Sequence, residues 1–195
     1  MLYRTKILDE EGIKHALSYG RPGQKKIETW NKQCSEIKGW GMDYGAFYAE
    51  WLDQEIDKSD HEAITLSNAR TGFTYKEYSK LDSYDWHSDE VTSSDGLRLD
   101  VSTTLFLSEP DEYEGGELDL RFGDFCISIK LPAGYACMYP TGVIHRVKPV
   151  RSGIRKVIHW WDQSNVQNPF VRDSIINLSG GTNTDLYTSQ LERFC

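Results

Sequence analysis

The chain has 195 residues, of which 38% are hydrophobic and 12% aromatic, enough for one domain with a substantial core. Its net charge of −8 disfavours a nucleic-acid partner, because such partners are held by clustered lysine and arginine. No apolar stretch is long enough to cross a bilayer, and the residues after Met1 lack a signal-peptide core, so we expect a soluble, cytoplasmic protein without a membrane partner.

The N-terminal part, residues 9–58, is predicted to be mainly helical. Apolar residues recur at helical spacing around residues 13–17 and again over residues 44–58, which predicts a helix in each place. From residue 61 the pattern changes to short, alternating runs separated by Gly, Pro and Asp turn signals, typical of β-strands. The predicted strands cover residues 63–67, 72–78, 98–107, 117–122, 125–131, 135–139, 145–150 and 154–161.

The tail, about residues 169–194, returns to helical patterns. Helices are predicted over residues 170–178 and 185–193, the second of them capped by Thr184. The sequence therefore predicts a single domain over residues 1–195, mainly β with flanking helices, in which residues 61–165 form a jelly roll.

Three residues of the β-rich part have the character of metal ligands. His87 and Asp89 form a His-x-Asp pair, and His145 follows near the start of a later strand. Two imidazoles and a carboxylate form the facial triad, which binds one face of Fe(II) and leaves the other positions open. Residues two apart on an extended strand point to the same side, so both members of the pair can reach one ion. A lone His-x-Asp is commonly a surface pair, but the added histidine favours a metal centre.

Arg155 is the fourth candidate. A turn predicted over residues 151–153 returns the chain as an antiparallel neighbour of the His145 strand, which brings Arg155 close to the predicted metal centre. A guanidinium pairs with a carboxylate through two hydrogen bonds, so it suits the far end of a dicarboxylic co-substrate. The alternative interpretation is a surface salt bridge in an acidic protein.

Together these residues resemble the Fe(II)- and 2-oxoglutarate-dependent dioxygenases of the prolyl 4-hydroxylase type, most closely the PKHD-type hydroxylases. The resemblance is carried by residues 78–89, by residues 99–118, which match almost throughout, and by residues 139–161. It covers about residues 70–175. One position departs from the family pattern, since Leu81 stands where glycine is usual.

The resemblance implies a double-stranded β-helix, a distorted jelly roll similar to the cupins. It implies that His87, Asp89 and His145 are the iron ligands, that Arg155 binds the distal carboxylate of 2-oxoglutarate, and that Tyr78 donates a hydrogen bond to the same group. The cofactor is then Fe(II), the co-substrates are 2-oxoglutarate and O2, and ascorbate is an optional addition. Hydroxylation of an unactivated carbon would yield succinate and CO2 as co-products.

The resemblance suggests a prolyl residue of a protein or peptide as the substrate. A hydroxylase of a free amino acid or other small molecule is the first alternative, and a non-catalytic jelly-roll module that binds metal is the second. A closed pocket with a second basic residue would favour a free acid, and the candidates for that residue are Arg98, Arg121, Arg146 and Lys148. A wide groove bordered by loops over residues 88–96 and 108–116 would favour a polypeptide; either loop is equally well a solvated surface.

Five further residues have weaker assignments. By alternation along its strand, His159 is either a pocket residue or a core histidine. Tyr84 and Trp86 either line the mouth of the site or pack beside their strand. His15 and His61 have no companions at ligand spacing and are expected at the surface.

Overall fold

The computed structural model of the protein describes residues 2–18, 27–31, 36–47 and 49–178. The helices in these ranges are α1 (Glu10–Leu17), α2 (Glu50–Asp57), α3 (His61–Thr65) and α4 (Pro169–Leu178). The strands are β1 (Tyr3–Lys6), β2 (Ile27–Asn31), β3 (Glu36–Phe47), β4 (Ser67–Arg70), β5 (Phe73–Tyr78), β6 (Tyr84–His87), β7 (Val101–Phe106), β8 (Tyr113–Gly115), β9 (Leu118–Phe122), β10 (Phe125–Ile129), β11 (Tyr135–Pro140), β12 (Ile144–Val147), β13 (Val150–Gly153) and β14 (Arg155–Ser164).

Strands within the described ranges pair only in antiparallel fashion. One sheet half has the order β1-β11-β7-β14-β5 and the other the order β6-β12-β9-β10, and β3 joins the two. We call them the β14 half and the β12 half. Strands β2 and β4 pair with β3 and β14, while β8 and β13 form a separate ribbon. The predicted mainly β architecture with flanking helices is thus confirmed.

Two apolar clusters hold these layers together. Helices α1 and α2 bury Ala16, Leu52 and Ile56 against Ile158 and Trp160 of β14, so they cover the outer side of the β14 half. A second cluster lies between the halves and is made by residues from both, among them Phe106, Leu120, Val147 and Val157. Burial of such side chains contributes about 1.5–3 kcal/mol each, so the two clusters fix how the sheet halves face each other.

Helix α1 lies where the spacing predicts it, and Asp9 caps it by accepting a hydrogen bond from the Gly12 backbone N–H at 2.9 Å. Helix α2 lies within the second predicted helix, over residues 44–58. The prediction that residues 9–58 are mainly helical is nevertheless wrong, because β2 and β3 occupy as much of the described part of that range as the two helices do. Gly39, Gly41 and Gly45 lie in β3. Each glycine would destabilise a helix by about 1 kcal/mol relative to alanine. In β3 the backbone instead forms an antiparallel pairing with β5.

The strand predicted over residues 63–67 is also wrong, since α3 covers most of it. His61, expected at the surface, is fully buried (0% exposed), and His15 is exposed as expected. The Nε2 atom of His61 lies 3.2 Å from Thr103 Oγ1 and 3.3 Å from Asp162 Oδ2. These polar partners come from β7 and β14, far away in sequence, so spacing around His61 does not reveal them.

The other predicted strands correspond to β5, β7, β9, β10, β11, β12 and β14, with shifted ends. The helix predicted over residues 170–178 is α4, and Asn168 caps it by accepting a hydrogen bond from the Phe170 backbone N–H at 2.9 Å. Thr184 and the helix predicted over residues 185–193 lie outside the described residues. Among the helices described, none combines the length and the hydrophobicity that a bilayer crossing requires.

Leu81, where the family that the sequence resembles usually has glycine, has a left-handed backbone with φ of 73°. Its side chain is 75% exposed, and its backbone N–H donates to the Val150 carbonyl at 2.8 Å, so the turn is held in this conformation. A non-glycine residue in this left-handed conformation costs about 1–2 kcal/mol of stability. Glycine avoids this cost but gives back part of the gain, because its unfolded chain is more flexible. We therefore expect Leu81→Gly to raise the free energy of unfolding by about 0.5–1 kcal/mol in urea titrations. Leu81→Ala keeps the Cβ atom and serves as control; an equal gain in both variants would contradict the backbone explanation.

Candidate metal centre

Three potential ligands meet where β6 and β12 lie side by side. His87 and His145 face each other across this strand pair, with ring centroids 4.2 Å apart. The Nε2 atom of each imidazole lies 3.7 Å from Asp89 Oδ1. The three ligand atoms all lie within 4.8 Å of one another, so two imidazoles and one carboxylate converge on a single point. This is the donor set of a facial triad.

Hydrogen bonds orient both imidazoles toward that point. Nδ1 of His87 lies 2.7 Å from the Asp85 carbonyl, and Nδ1 of His145 lies 2.9 Å from the Val143 carbonyl. A carbonyl only accepts, so each Nδ1 carries the proton and each Nε2 presents a lone pair. Burial, and after it the neighbouring His145, lowers the pKa of His87 to about 4. The ring is therefore neutral at neutral pH, as a metal ligand must be.

Asp89 lies beyond the end of β6, so strand alternation does not place it as predicted. Its Oδ2 atom accepts hydrogen bonds from Ser102 Oγ at 2.9 Å and from Trp161 Nε1 at 2.8 Å. Oδ1 is thereby turned toward the two histidines. The sequence prediction missed the roles of Ser102 and Trp161. They come from β7 and β14, where they lie opposite each other in register, and only the paired strands bring them to Asp89.

Arg155 opens β14 and is 1% exposed. It lines a cavity of about 140 Å³ that His87, Asp89 and His145 also line. The predicted route to this position is wrong: residues 151–153 belong to β13, which pairs with β8, and β14 pairs with β5 and β7 rather than with β12. Arg155 thus reaches the cavity from the opposite sheet half.

The Arg155 guanidinium has no carboxylate within ion-pair distance anywhere in the described ranges, and its Nε atom has no hydrogen-bond partner. Its neighbours are aromatic: Cζ lies 5.1 Å from the centre of the Tyr78 ring and 5.4 Å from that of Phe106. A buried charge without a counter-ion is costly, so the site calls for an anion. A carboxylate of a small co-substrate fits this requirement.

Two neighbours shape this end of the cavity. Tyr78 lies directly opposite Arg155 in the β5–β14 register, so both side chains face the interior, as the predicted shared role requires. Gly116 leaves room for the arginine, because a Cβ atom there would lie 3.1 Å from Arg155 Cδ. The φ of 65° at Gly116 lies in the left-handed region, which favours glycine.

The structure separates the other predicted pocket residues. Tyr84 lines the cavity, with its ring centroid 3.9 Å from that of His87, and His159 lines it as well. Trp86 does not line the cavity; its ring instead packs under the Arg146 guanidinium, with Cζ 4.5 Å from the ring centre. On a regular strand Tyr84 and Trp86, two residues apart, would share a side. The β6–β12 register shifts between them, since His87 pairs with His145 but Tyr84 pairs with Val147, and this irregularity explains their different positions relative to the cavity.

The four basic residues considered as a second anchor lie outside the cavity. Arg146 and Lys148 pair with Asp119 at 2.8 and 3.3 Å, and Arg98 pairs with Asp100 at 2.9 Å. Arg121 donates to the carbonyl of Gly123. The basic residue that lines the cavity besides Arg155 is Lys76 on β5, which sequence reasoning missed. Alternation from Tyr78 along β5 was the available signal.

A second, wider depression of about 450 Å³ is lined in part by Thr141, whose hydroxyl lies 3.2 Å from the Ser102 hydroxyl that bonds Asp89. It is formed by the segment that follows Asp89 and the segment that precedes His145, together with the start of α4. Val91, Val143 and Phe170 line it, and Val91 and Phe170 are 69% and 70% exposed. Residues 88–96 are thus a loop beside the site, as predicted, whereas residues 108–116 include the short strand β8.

Comparison with known sequences gives consistent matches. Residues 73–163 match the model of the 2OG-Fe(II) oxygenase superfamily. A PKHD-type hydroxylase of Parvibaculum lavamentivorans is 40% identical over 155 residues, which cover 77% of this chain and 67% of that protein. A PKHD-type hydroxylase of a Synechococcus species (strain CC9902) is 42% identical over 100 residues, 51% of this chain and 45% of that protein. The chain covers about half the length of the first curated relatives that it matches.

Solved structures share the fold. A prolyl-4-hydroxylase of Pseudomonas putida superposes with a TM-score of 0.56 at 16% identity, covering 85% of this chain and 93% of that one. A Trichoplax adhaerens prolyl hydroxylase in complex with a peptide of the hypoxia inducible factor oxygen degradation domain gives a TM-score of 0.62 at 13% identity, covering 83% of each chain. These matches confirm the predicted double-stranded β-helix.

Proposed function

Because the chain belongs to the 2OG-Fe(II) oxygenase superfamily, we propose that it is an Fe(II)- and 2-oxoglutarate-dependent hydroxylase of a prolyl residue in a protein or peptide. In such enzymes iron, 2-oxoglutarate and O2 together supply the oxidation: the keto acid becomes succinate and CO2, and one oxygen atom enters a substrate C–H bond. Ascorbate as an added reductant belongs to the same proposal.

In this proposal the chain provides position and shielding. His87 and His145 offer their Nε2 lone pairs to iron, and Asp89 offers Oδ1 while Ser102 and Trp161 hold its other oxygen. The three residues leave the remaining positions of the metal to the small reactants. The cavity between the sheet halves keeps these reactants apart from bulk water, which limits side reactions.

The observation that carries the proposal is the buried, unpaired charge of Arg155 in the same cavity as the three ligands. A purely structural metal site has no use for an uncompensated guanidinium beside it, because that charge destabilises the protein. A dicarboxylic co-substrate resolves this: one end chelates the metal and the other pairs with Arg155, assisted by the Tyr78 hydroxyl. The non-catalytic metal-binding module, the second alternative, leaves Arg155 unexplained.

The substrate assignment is supported by the depression beside the metal centre. Its apolar lining and its size suit an extended polypeptide with an apolar residue such as proline. Arg98, at its edge, is already paired with Asp100 and offers little to a free carboxylate. A free amino acid or other small molecule stays the alternative, because Lys76 adds a second basic residue to the inner cavity.

The proposal is tested by incubating the protein with Fe(II), 2-oxoglutarate and air, with and without a library of proline-containing peptides. We expect succinate to form faster with particular peptides and their mass to rise by one oxygen atom at proline, as fragment spectra would locate. Stimulation by free amino acids alone would instead favour the small-molecule alternative. A folded, iron-loaded protein that never consumes 2-oxoglutarate would overturn the hydroxylase proposal and favour the metal-binding module.

A further inference from the structure

The inward-facing residues of β14 and its neighbours form successive pairs between the metal centre and Arg155. Trp161 pairs with Ser102, and these two hold Asp89. The next inward residue is His159, which lies opposite Thr104 of β7. Then follow Val157 and finally Arg155. Inward residues are about 6.8 Å apart along a strand, so His159 is one step from Trp161, which bonds the Asp89 carboxylate, and two steps from Arg155.

His159 lines the cavity but has no hydrogen-bond partner within the described chain for its buried Nε2 atom. Its ring packs edge-on against that of Trp161, with centroids 4.9 Å apart. Neighbouring polar groups are already engaged: Ser102 bonds Asp89, and Thr104 bonds the Tyr139 hydroxyl. A buried ring nitrogen left without a partner costs free energy, so the position calls for a ligand atom.

The charge state of His159 narrows the choice of ligand. Burial, and after it Lys76 and Arg155, lowers the pKa of His159 well below the usual range, so its ring is neutral. A neutral imidazole keeps one N–H donor, which an oxygen acceptor can use without a proton transfer. The ligand that must pass between the metal and Arg155 is a 2-oxo acid, whose metal-chelating end carries a carboxylate.

We propose that His159 donates a hydrogen bond to the metal-chelating end of 2-oxoglutarate and so fixes how the keto acid lies between the iron and Arg155. This inference rests on the proposed function. It assigns the two ends of the keto acid to different residues: the distal carboxylate to Arg155 and the chelating end to His159.

The test compares two keto acids on the iron-loaded protein without oxygen. 2-Oxoglutarate has both ends, whereas 2-oxobutyrate has only the chelating end. Chelation gives a visible charge-transfer band, so titration yields an affinity for each without any turnover. We expect His159→Leu to lower the affinity of the protein for both keto acids about tenfold, which is the effect of losing one hydrogen bond to a charged group. His159→Gln keeps an N–H donor of similar reach, so it should recover most of both affinities.

Arg155→Met is the matched comparison. It should lower the affinity for 2-oxoglutarate but not for 2-oxobutyrate, because only 2-oxoglutarate has the distal carboxylate. If His159→Leu leaves both affinities unchanged, or lowers only the affinity for 2-oxoglutarate, the assignment of His159 to the chelating end is wrong. Circular dichroism of each variant identifies a loss of fold, and the Gln variant keeps the test decisive if Leu is not tolerated. Absence of the band in the iron-loaded wild-type protein would instead be a failure of the proposed function itself.

Discussion

Asp89→Ala is expected to abolish turnover and to weaken Fe(II) binding by more than about a hundredfold, since even residues that only support a ligand change affinity tenfold to a hundredfold. Among the residues that the structure describes, the carboxylate is the single anionic group at the point where His87 and His145 converge. Without it, two neutral imidazoles hold the ion, and the charge-transfer band with 2-oxoglutarate should disappear. Titration of Fe(II) into the anaerobic protein, followed by the keto acid, measures both effects.

Two further variants separate ligation from folding. Asp89→Asn keeps an oxygen that accepts from Ser102 and Trp161 but removes the charge, so it should fold as the wild type does while binding iron weakly. Glu90→Ala removes the exposed carboxylate next in sequence and should bind iron normally. Normal turnover in Asp89→Ala would overturn the assignment of this residue as a ligand.

Arg155→Met is expected to weaken 2-oxoglutarate binding about a hundredfold or more, because a buried, charge-assisted pair with the distal carboxylate is lost. In the absence of ligand the same change should leave stability equal or raise it by about 1 kcal/mol, since an uncompensated buried charge is replaced by an apolar chain of similar length. The affinity for 2-oxoglutarate is thus predicted to fall without any loss of stability. Charge-transfer titration and urea unfolding of the metal-free protein measure the two quantities.

Arg151→Leu provides the control for this pair of effects. Arg151 has a side chain that is 69% exposed, and its nearest carboxylate, on Glu114, lies 4.0 Å away. Its removal should change neither quantity appreciably, because exposed ion pairs contribute about 0–1 kcal/mol. A large loss of stability in metal-free Arg155→Met would contradict our view that the guanidinium is kept for a ligand rather than for the fold.

Much of the β-rich part was predictable because alternation is a local property. Alternation locates the strands β5, β9, β10 and β11, and residue types and spacing predict the metal site. Helix periodicity found α1 and α4 for the same reason. Where local signals conflicted, prediction failed: the apolar spacing before α2 suggested a helix starting at residue 44, while the chain continues in β3 to Phe47.

The roles that stayed hidden depend on contacts between distant strands. Ser102 and Trp161 meet Asp89 only because β7 and β14 pair in a particular register. His61, on α3, meets Asp162 only because that helix packs against β14. Arg155 was placed in the right cavity by a wrong route, since strand partners cannot be read from a turn sequence alone. Assignment of His87, Asp89, His145, Arg155 and Tyr78 to their chemical roles stays a prediction, as does the single domain.

The placement of Asp89 gives the metal centre a mechanical consequence. His87 and His145 belong to the β12 half, whereas the partners of Asp89, Ser102 and Trp161, belong to the β14 half. An ion bound by all three ligands therefore cross-links the two sheet halves at the metal centre. Loss of iron would loosen the structure around the metal centre, while the apolar cluster between the halves stays packed. Amide hydrogen exchange near Ser102 and Trp161 would then measure the iron content of the protein.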